Sequence, residues 1–412
     1  MRTAGLPRGP WGLLRDRAFR RAWLIGVMTG TVRWSDMLIT GIYVFDITAS
    51  AGDVALVTFL RFLPMSFGAF SGALAARLSL GRMLCLGLGL LAASYTVLAL
   101  LDVFGQLAVW QVGLGAFLNG LYWSTENSVR RTLLGEIAGP GRTSAAIGMD
   151  WATISAVRLV GPVAGSALYS AFGVGACYAA CAGFFLVATV LASGLGAVAQ
   201  DSAARGHRLL SGAVEDVRLA CRDPLLLGAL AATVGMNFFC FGYSSMVPVI
   251  GKETLGVPPV LVGLLSTAEG VGALVGALVV ANLTQSRWFG PGFLFGSLAA
   301  MLGALCFSLS SYYPLALASL AFAGIGSGVF ATTQSTLILV NAPPERRSRT
   351  MGVLSSAIGL GQWGVLALGP VAGWLGAPAA VTIFQLCGIA MLSCCALTWP
   401  ALWRQRNDGK ET

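Results

Sequence analysis

The sequence predicts an all-α membrane protein whose twelve transmembrane helices form two pseudo-symmetric six-helix bundles. Three observations carry that prediction. Of 412 residues, 56% are hydrophobic and only 10% are charged, against about 25% charged in a soluble domain. Apolar runs of bilayer-crossing length recur along the whole chain. The halves echo each other, with "GPVAG" blocks starting at Gly161 and Gly369.

Each span follows from the same rule. A helix needs about 20 apolar residues to cross the hydrocarbon core, and helix is forced because lipid leaves backbone amides no other partner. Runs between polar breaks fall at 22–45, 54–76, 82–101, 105–128, 147–170 and 174–198, then at 225–250, 259–283, 290–310, 314–340, 351–375 and 378–402. The expected organisation is an N-terminal cytoplasmic segment (1–21), a six-helix bundle (22–198), a cytoplasmic linker (199–224), a second bundle (225–402) and a cytoplasmic tail (403–412). Within the linker, "HRLLSGAVEDVRLACR" has helical apolar spacing suited to the membrane surface. An A-x-A-like site in "TASAG" (48–52) follows a stretch too long and too charged for a signal peptide, so the first span is read as retained.

Orientation follows from the basic residues. With the N-terminus in the cytoplasm, inner segments hold 22 of the 26 Lys and Arg, and outer loops hold only Lys252. The positive-inside rule demands this asymmetry. The net charge of +9 is therefore topological, and no nucleic-acid partner is implied. Nine scattered cysteines without a CxxC, and a single histidine (His207), give no metal or disulfide framework. No cofactor is expected. The chain has no G-x-x-x-x-G-K-[ST], which excludes a P-loop ATPase, so transport energy would come from an ion gradient.

The three remaining cations lie inside spans. Arg33 in span one, Arg61 in span two and Arg158 in span five join Asp36 and, in span eight, Glu269. At about 1.5 Å per residue these five charges are expected at one membrane depth. Ionised side chains there are costly unless they pair or line a water-filled cavity. Arg33 and Asp36, three residues apart, share a helix face. The expected reading is a shared substrate and proton pathway, with Asp36 and Glu269 as proton carriers. Pairing that merely locks spans one and two together is the alternative. Three Arg against two acids would leave one positive charge to attract an anionic group. Nearer the inner face, Glu126, Arg130 and Asp150 are read as an inter-helix lock. Tyr122 and Trp123 are among the aromatics that would face an amphipathic ligand.

Four motifs resemble the major facilitator superfamily across nearly the whole chain. "GALAARLSLGR" (72–82) is similar to its signature G-x-x-x-D-R-x-x-x-G-R, with Gly72, Arg77, Gly81 and Arg82 matching and Ala76 where the family has Asp. "RLVGPVAG" (158–165) resembles the exporter G-P motif, with Gly161 and Pro162 expected to kink span five; Gly369 and Pro370 repeat it. With "RFLPMSFGAFSGAL" (61–74) and "PPERRSRTMG" (343–352), these resemble the bacterial subgroup of enterobactin-type siderophore exporters. Span four has Gln111 where drug–proton antiporters hold Arg. The resemblance implies a monomeric, multi-pass secondary transporter of the bacterial plasma or inner membrane. It would export a small amphipathic or anionic molecule (siderophore, drug or natural product) in exchange for protons by alternating access. A lipid or lysolipid translocator and a metal-chelate carrier share the fold, and a membrane sensor is the reading outside it. An enzyme is not expected.

Overall fold

A computed structural model describes residues 10–66, 80–139, 142–195, 223–281, 288–341 and 347–403. Gly72, Arg77, most of the predicted linker and most of the C-terminal tail lie outside the described residues. The described chain folds as α-helices: α1 (Arg17–Thr48), α2 (Ala51–Ser66), α3 (Leu80–Val103), α4 (Val109–Ala138) and α5 (Thr143–Ser193). Then come α6 (Pro224–Gly235), α7 (Tyr243–Val249), α8 (Pro259–Ala281), α9 (Phe289–Leu309), α10 (Tyr313–Asn341), α11 (Arg347–Gly359), α12 (Gly361–Leu375) and α13 (Ala377–Thr398).

Among the described residues, eight helical stretches are long and apolar enough to cross a membrane. One of them, Ala145–Ser193, has 49 residues, far longer than one crossing. It bends at Gly173, whose φ of 78° is the chain's departure from helical geometry there. That positive φ suits a residue without Cβ, and it falls between the predicted fifth and sixth spans. Gly161 and Pro162 lie inside α5, where the two glycines of "GPVAG" seat α1. A methyl on Gly161 would meet Trp34 Cβ at 2.9 Å, and one on Gly165 would meet Ser35 Cβ at 2.8 Å. Small residues let transmembrane backbones approach this closely. The Ser35 hydroxyl donates to the Gly161 carbonyl at 2.7 Å.

The described residues divide into two compact units, one drawn from Met1–Tyr43 and Leu60–Leu209, the other from Val44–Phe59 and Leu210–Thr412. In the first, α3 packs along α5 and both meet α4. In the second, α10 lies between α8 and α9, in backbone contact through Gly272, Gly276, Gly324 and Gly328 against α8 and α10 main chain. The seventh predicted span is not one regular helix. Between α6 and α7 lies a π-helical turn, Met236–Cys240, and a second follows at Ile250–Thr254. Such turns widen the hydrogen-bond ladder and free carbonyls. Gln385 on α13 donates Nε2 to the carbonyls of Phe239 (3.2 Å) and Cys240 (3.3 Å). Gly361 and Gly364 of α12 fit against the same turn.

Candidate functional site: two buried ion networks

Among the described residues the buried charged side chains are Arg33, Asp36, Arg61, Glu126, Arg130 and Asp150. All six belong to the first unit. They form two ion-pair networks.

The first network centres on Asp36, 1% exposed. Its carboxylate accepts from Arg61 of α2, from the Tyr95 hydroxyl of α3 at 2.7 Å, and from Asn119 Nδ2 of α4 at 3.4 Å. The Thr40 hydroxyl, one turn along α1, donates at 3.2 Å and accepts from Arg61 at 3.3 Å. Asn119 also donates to the Tyr95 oxygen at 2.7 Å. Donors from four helices thus converge on one carboxylate. Arg61 reaches it because α2 lies directly against α4: a Cβ on Gly120 would collide with the Arg61 carbonyl.

The second network runs from Arg33 to Arg131. Arg33 Nη2 donates to Glu126 Oε2 at 2.8 Å. Glu126 also pairs with Arg130, one helical turn on, and Arg130 bridges to Asp150 of α5. Arg131, more exposed, closes the chain at 3.3 Å from Asp150. The Thr29 hydroxyl adds a 3.4 Å contact to Glu126. Gly26 makes room, since any side chain there would strike the Arg130 guanidinium.

Arg33 and Asp36 part company for a geometric reason. Helical Cβ atoms tilt toward the helix N-terminus, so the long Arg33 side chain leans back to Glu126 while the short Asp36 stays level with Arg61 and Tyr95. Its guanidinium also lies 4.4 Å over the Trp123 ring. Arg158 is half-buried and lies 5.0 Å over the Trp34 ring. Glu269, half-buried on α8, belongs to the second unit. Gly81 is buried and Arg82 exposed at the start of α3. Gly369 packs on Ala55 at 2.9 Å within the second unit, and Pro370 sits inside α12.

The charge count changes with these partners. Among the described residues three fully buried guanidiniums, Arg33, Arg61 and Arg130, face three fully buried carboxylates, Asp36, Glu126 and Asp150. Tyr95, Thr40 and Asn119 were absent from the expected site. Asn119 was the signal to find, a carboxamide in the otherwise apolar "VGLGAFLNGL".

With this architecture in place, kinship can be read. The Major Facilitator Superfamily profile matches residues 22–362 and 246–412. The chain belongs to the major facilitator superfamily. YfiS of Bacillus subtilis (strain 168), an uncharacterized MFS-type transporter, is 25% identical over 360 residues, 84% of each chain. Three solved structures share the fold. The nucleoside transporter NupG gives a TM-score of 0.73 at 12% identity, over 92% of this chain and 98% of that one. A bacterial homolog of the human lysosomal transporter Spinster, solved inward-facing and unoccupied, gives 0.72 at 13%, over 94% and 98%. A POT family transporter in complex with 5-aminolevulinic acid gives 0.71 at 12%, over 94% and 97%. This superfamily member is accordingly an all-α, multi-pass membrane protein and an MFS-type transporter.

Proposed function

We propose that the protein is a proton-coupled exporter of a small amphipathic molecule, a siderophore, drug or natural product, working by alternating access as a monomer. Its setting is the bacterial plasma or inner membrane, with both termini cytoplasmic. The placement of 22 of 26 basic residues on one side supports that orientation. The motifs that resemble those of siderophore exporters support the substrate range.

The observation that carries the coupling is the Asp36 network. Ionised, a carboxylate is an acceptor only; protonated, it becomes a donor as well. Asp36 holds Arg61, Tyr95, Asn119 and Thr40 through its acceptor oxygens. One proton arriving at Asp36 releases Arg61 and loosens α2 from α1, which links proton loading to helix movement. Glu269 on α8 is the second carboxylate assigned to the proton path.

The test uses inverted membrane vesicles energised by respiration, with a fluorescent amine reporting the pH gradient. Amphipathic drugs, siderophores and lysolipids are added in turn. At least one compound is expected to dissipate the gradient in vesicles that carry the protein and not in empty ones. If every compound leaves the gradient unchanged while reconstituted protein still moves one of them, proton coupling is wrong.

A further inference from the structure

Three buried hydrogen-bond donors near the second network have no acceptor among the described residues: Arg33 Nε, the Tyr122 hydroxyl and Trp123 Nε1. Arg33 and Tyr122 are 6% and 7% exposed. Native proteins leave few buried donors unmatched, and each one calls for an explanation. These three are neighbours. Tyr122 and Trp123 are consecutive on α4, one turn before Glu126. The Arg33 guanidinium lies 4.4 Å over the Trp123 ring, and the Tyr122 hydroxyl interacts electrostatically with Arg33, Glu126 and Arg130.

The chemistry of a partner follows from what is missing. Three donors are left over, and the two carboxylates of this network are already shared among guanidiniums. An ionised carboxylate accepts at every lone pair and donates nothing, which is what three leftover donors call for. Charge agrees: the chain from Arg33 to Arg131 holds three guanidiniums, Arg33, Arg130 and Arg131, against Glu126 and Asp150. The body of the partner is set by the rings. Trp123 and Phe62 lie 5.4 Å apart, tilted, and both are half-buried, so they form an apolar wall beside the Trp123 donor.

We infer that Arg33, Tyr122 and Trp123 form a recognition subsite for the carboxylate of an aromatic acid, with Trp123 and Phe62 holding its ring. As the identity of the cargo, this rests on the transporter reading above. The unmatched donors explain why an anion is preferred although the fully buried charges balance.

The test is calorimetric titration of the purified full chain in detergent with 2-naphthoate and with its neutral analogue 2-naphthamide, without any gradient. Wild-type protein is expected to bind the carboxylate at least about tenfold more tightly than the amide. Tyr122→Phe deletes one donor and keeps the ring, Trp123→Phe deletes one donor and trims the indole to a phenyl, and each is expected to weaken 2-naphthoate about tenfold. Tyr122→Phe does not lower the ligand-free thermal midpoint, because it removes a donor that had no acceptor. Trp110→Phe, at an exposed ring, leaves affinity unchanged. Equal binding of acid and amide, full affinity in both donor-deleted variants, or a drop in the ligand-free midpoint of Tyr122→Phe would overturn the assignment. Binding is read apart from transport, so saturable, variant-sensitive binding with no proton movement in vesicles overturns coupling and leaves the subsite standing.

Discussion

Glu126→Gln is expected to destabilise the folded protein by about 3–5 kcal/mol, the range for stripping one partner from a buried ion pair. Glu126 is 1% exposed and answers two guanidiniums, Arg33 and Arg130. Arg130 keeps Asp150 after the change. Arg33 has Glu126 as its ion-pair partner, and loses it at a site buried to 6% exposure. Asp150→Asn is expected to cost less, because Arg130 retains Glu126 and Arg131 already reaches solvent. The double change Glu126→Gln with Arg33→Gln should recover part of the loss, since a buried pair replaced on both sides is often near neutral. Denaturant unfolding in detergent reads all three. An Asp150→Asn cost equal to or above that of Glu126→Gln would mean that Arg33 does not depend on Glu126.

Gly120→Val is expected to abolish recovery of folded protein. The added Cβ falls on the Arg61 carbonyl, which is main chain and has no rotamer to swing away. The only relief is to separate α2 from α4, and that pulls Arg61 off Asp36. Small-residue contacts of this kind hold transmembrane helices together where water supplies no drive. Gly183 is the matched control, a helical glycine with open space around its missing Cβ. There Gly183→Ala is expected to be neutral or stabilising, by up to about 1 kcal/mol of helix propensity. Yield and monodispersity after solubilisation separate the cases. Wild-type yield from Gly120→Val would show that α2 and α4 are not in backbone contact.

Much of the helical layout was legible because lipid leaves so few alternatives. Apolar run length marked α3, α8, α9 and α13 to within a few residues. The twist at Gly173 fell where the fifth and sixth predicted spans parted. The first π-helical turn in the seventh span was not legible, because "MNFFC" satisfies helical patterning and its packing against Gly361, Gly364 and Gln385 sets it apart. At the candidate site, sequence picked out the charges but not their pairing. Depth arithmetic placed Arg33, Asp36 and Arg61 together; the lean of a long side chain, which decides between Glu126 and Asp36, is a matter of rotamers. Neutral partners such as Tyr95 and Thr40 look like ordinary span residues until a carboxylate is found beside them.

The most direct test of the account is transport by Asp36→Asn in proteoliposomes, with the compound that scores in the vesicle screen as tracer. Asn keeps the shape of the side chain and removes the proton-carrying oxygen. The account predicts that energy-independent counterflow persists while accumulation driven by a pH gradient disappears. An Asp36→Asn protein that concentrates the tracer as steeply as wild type would contradict it.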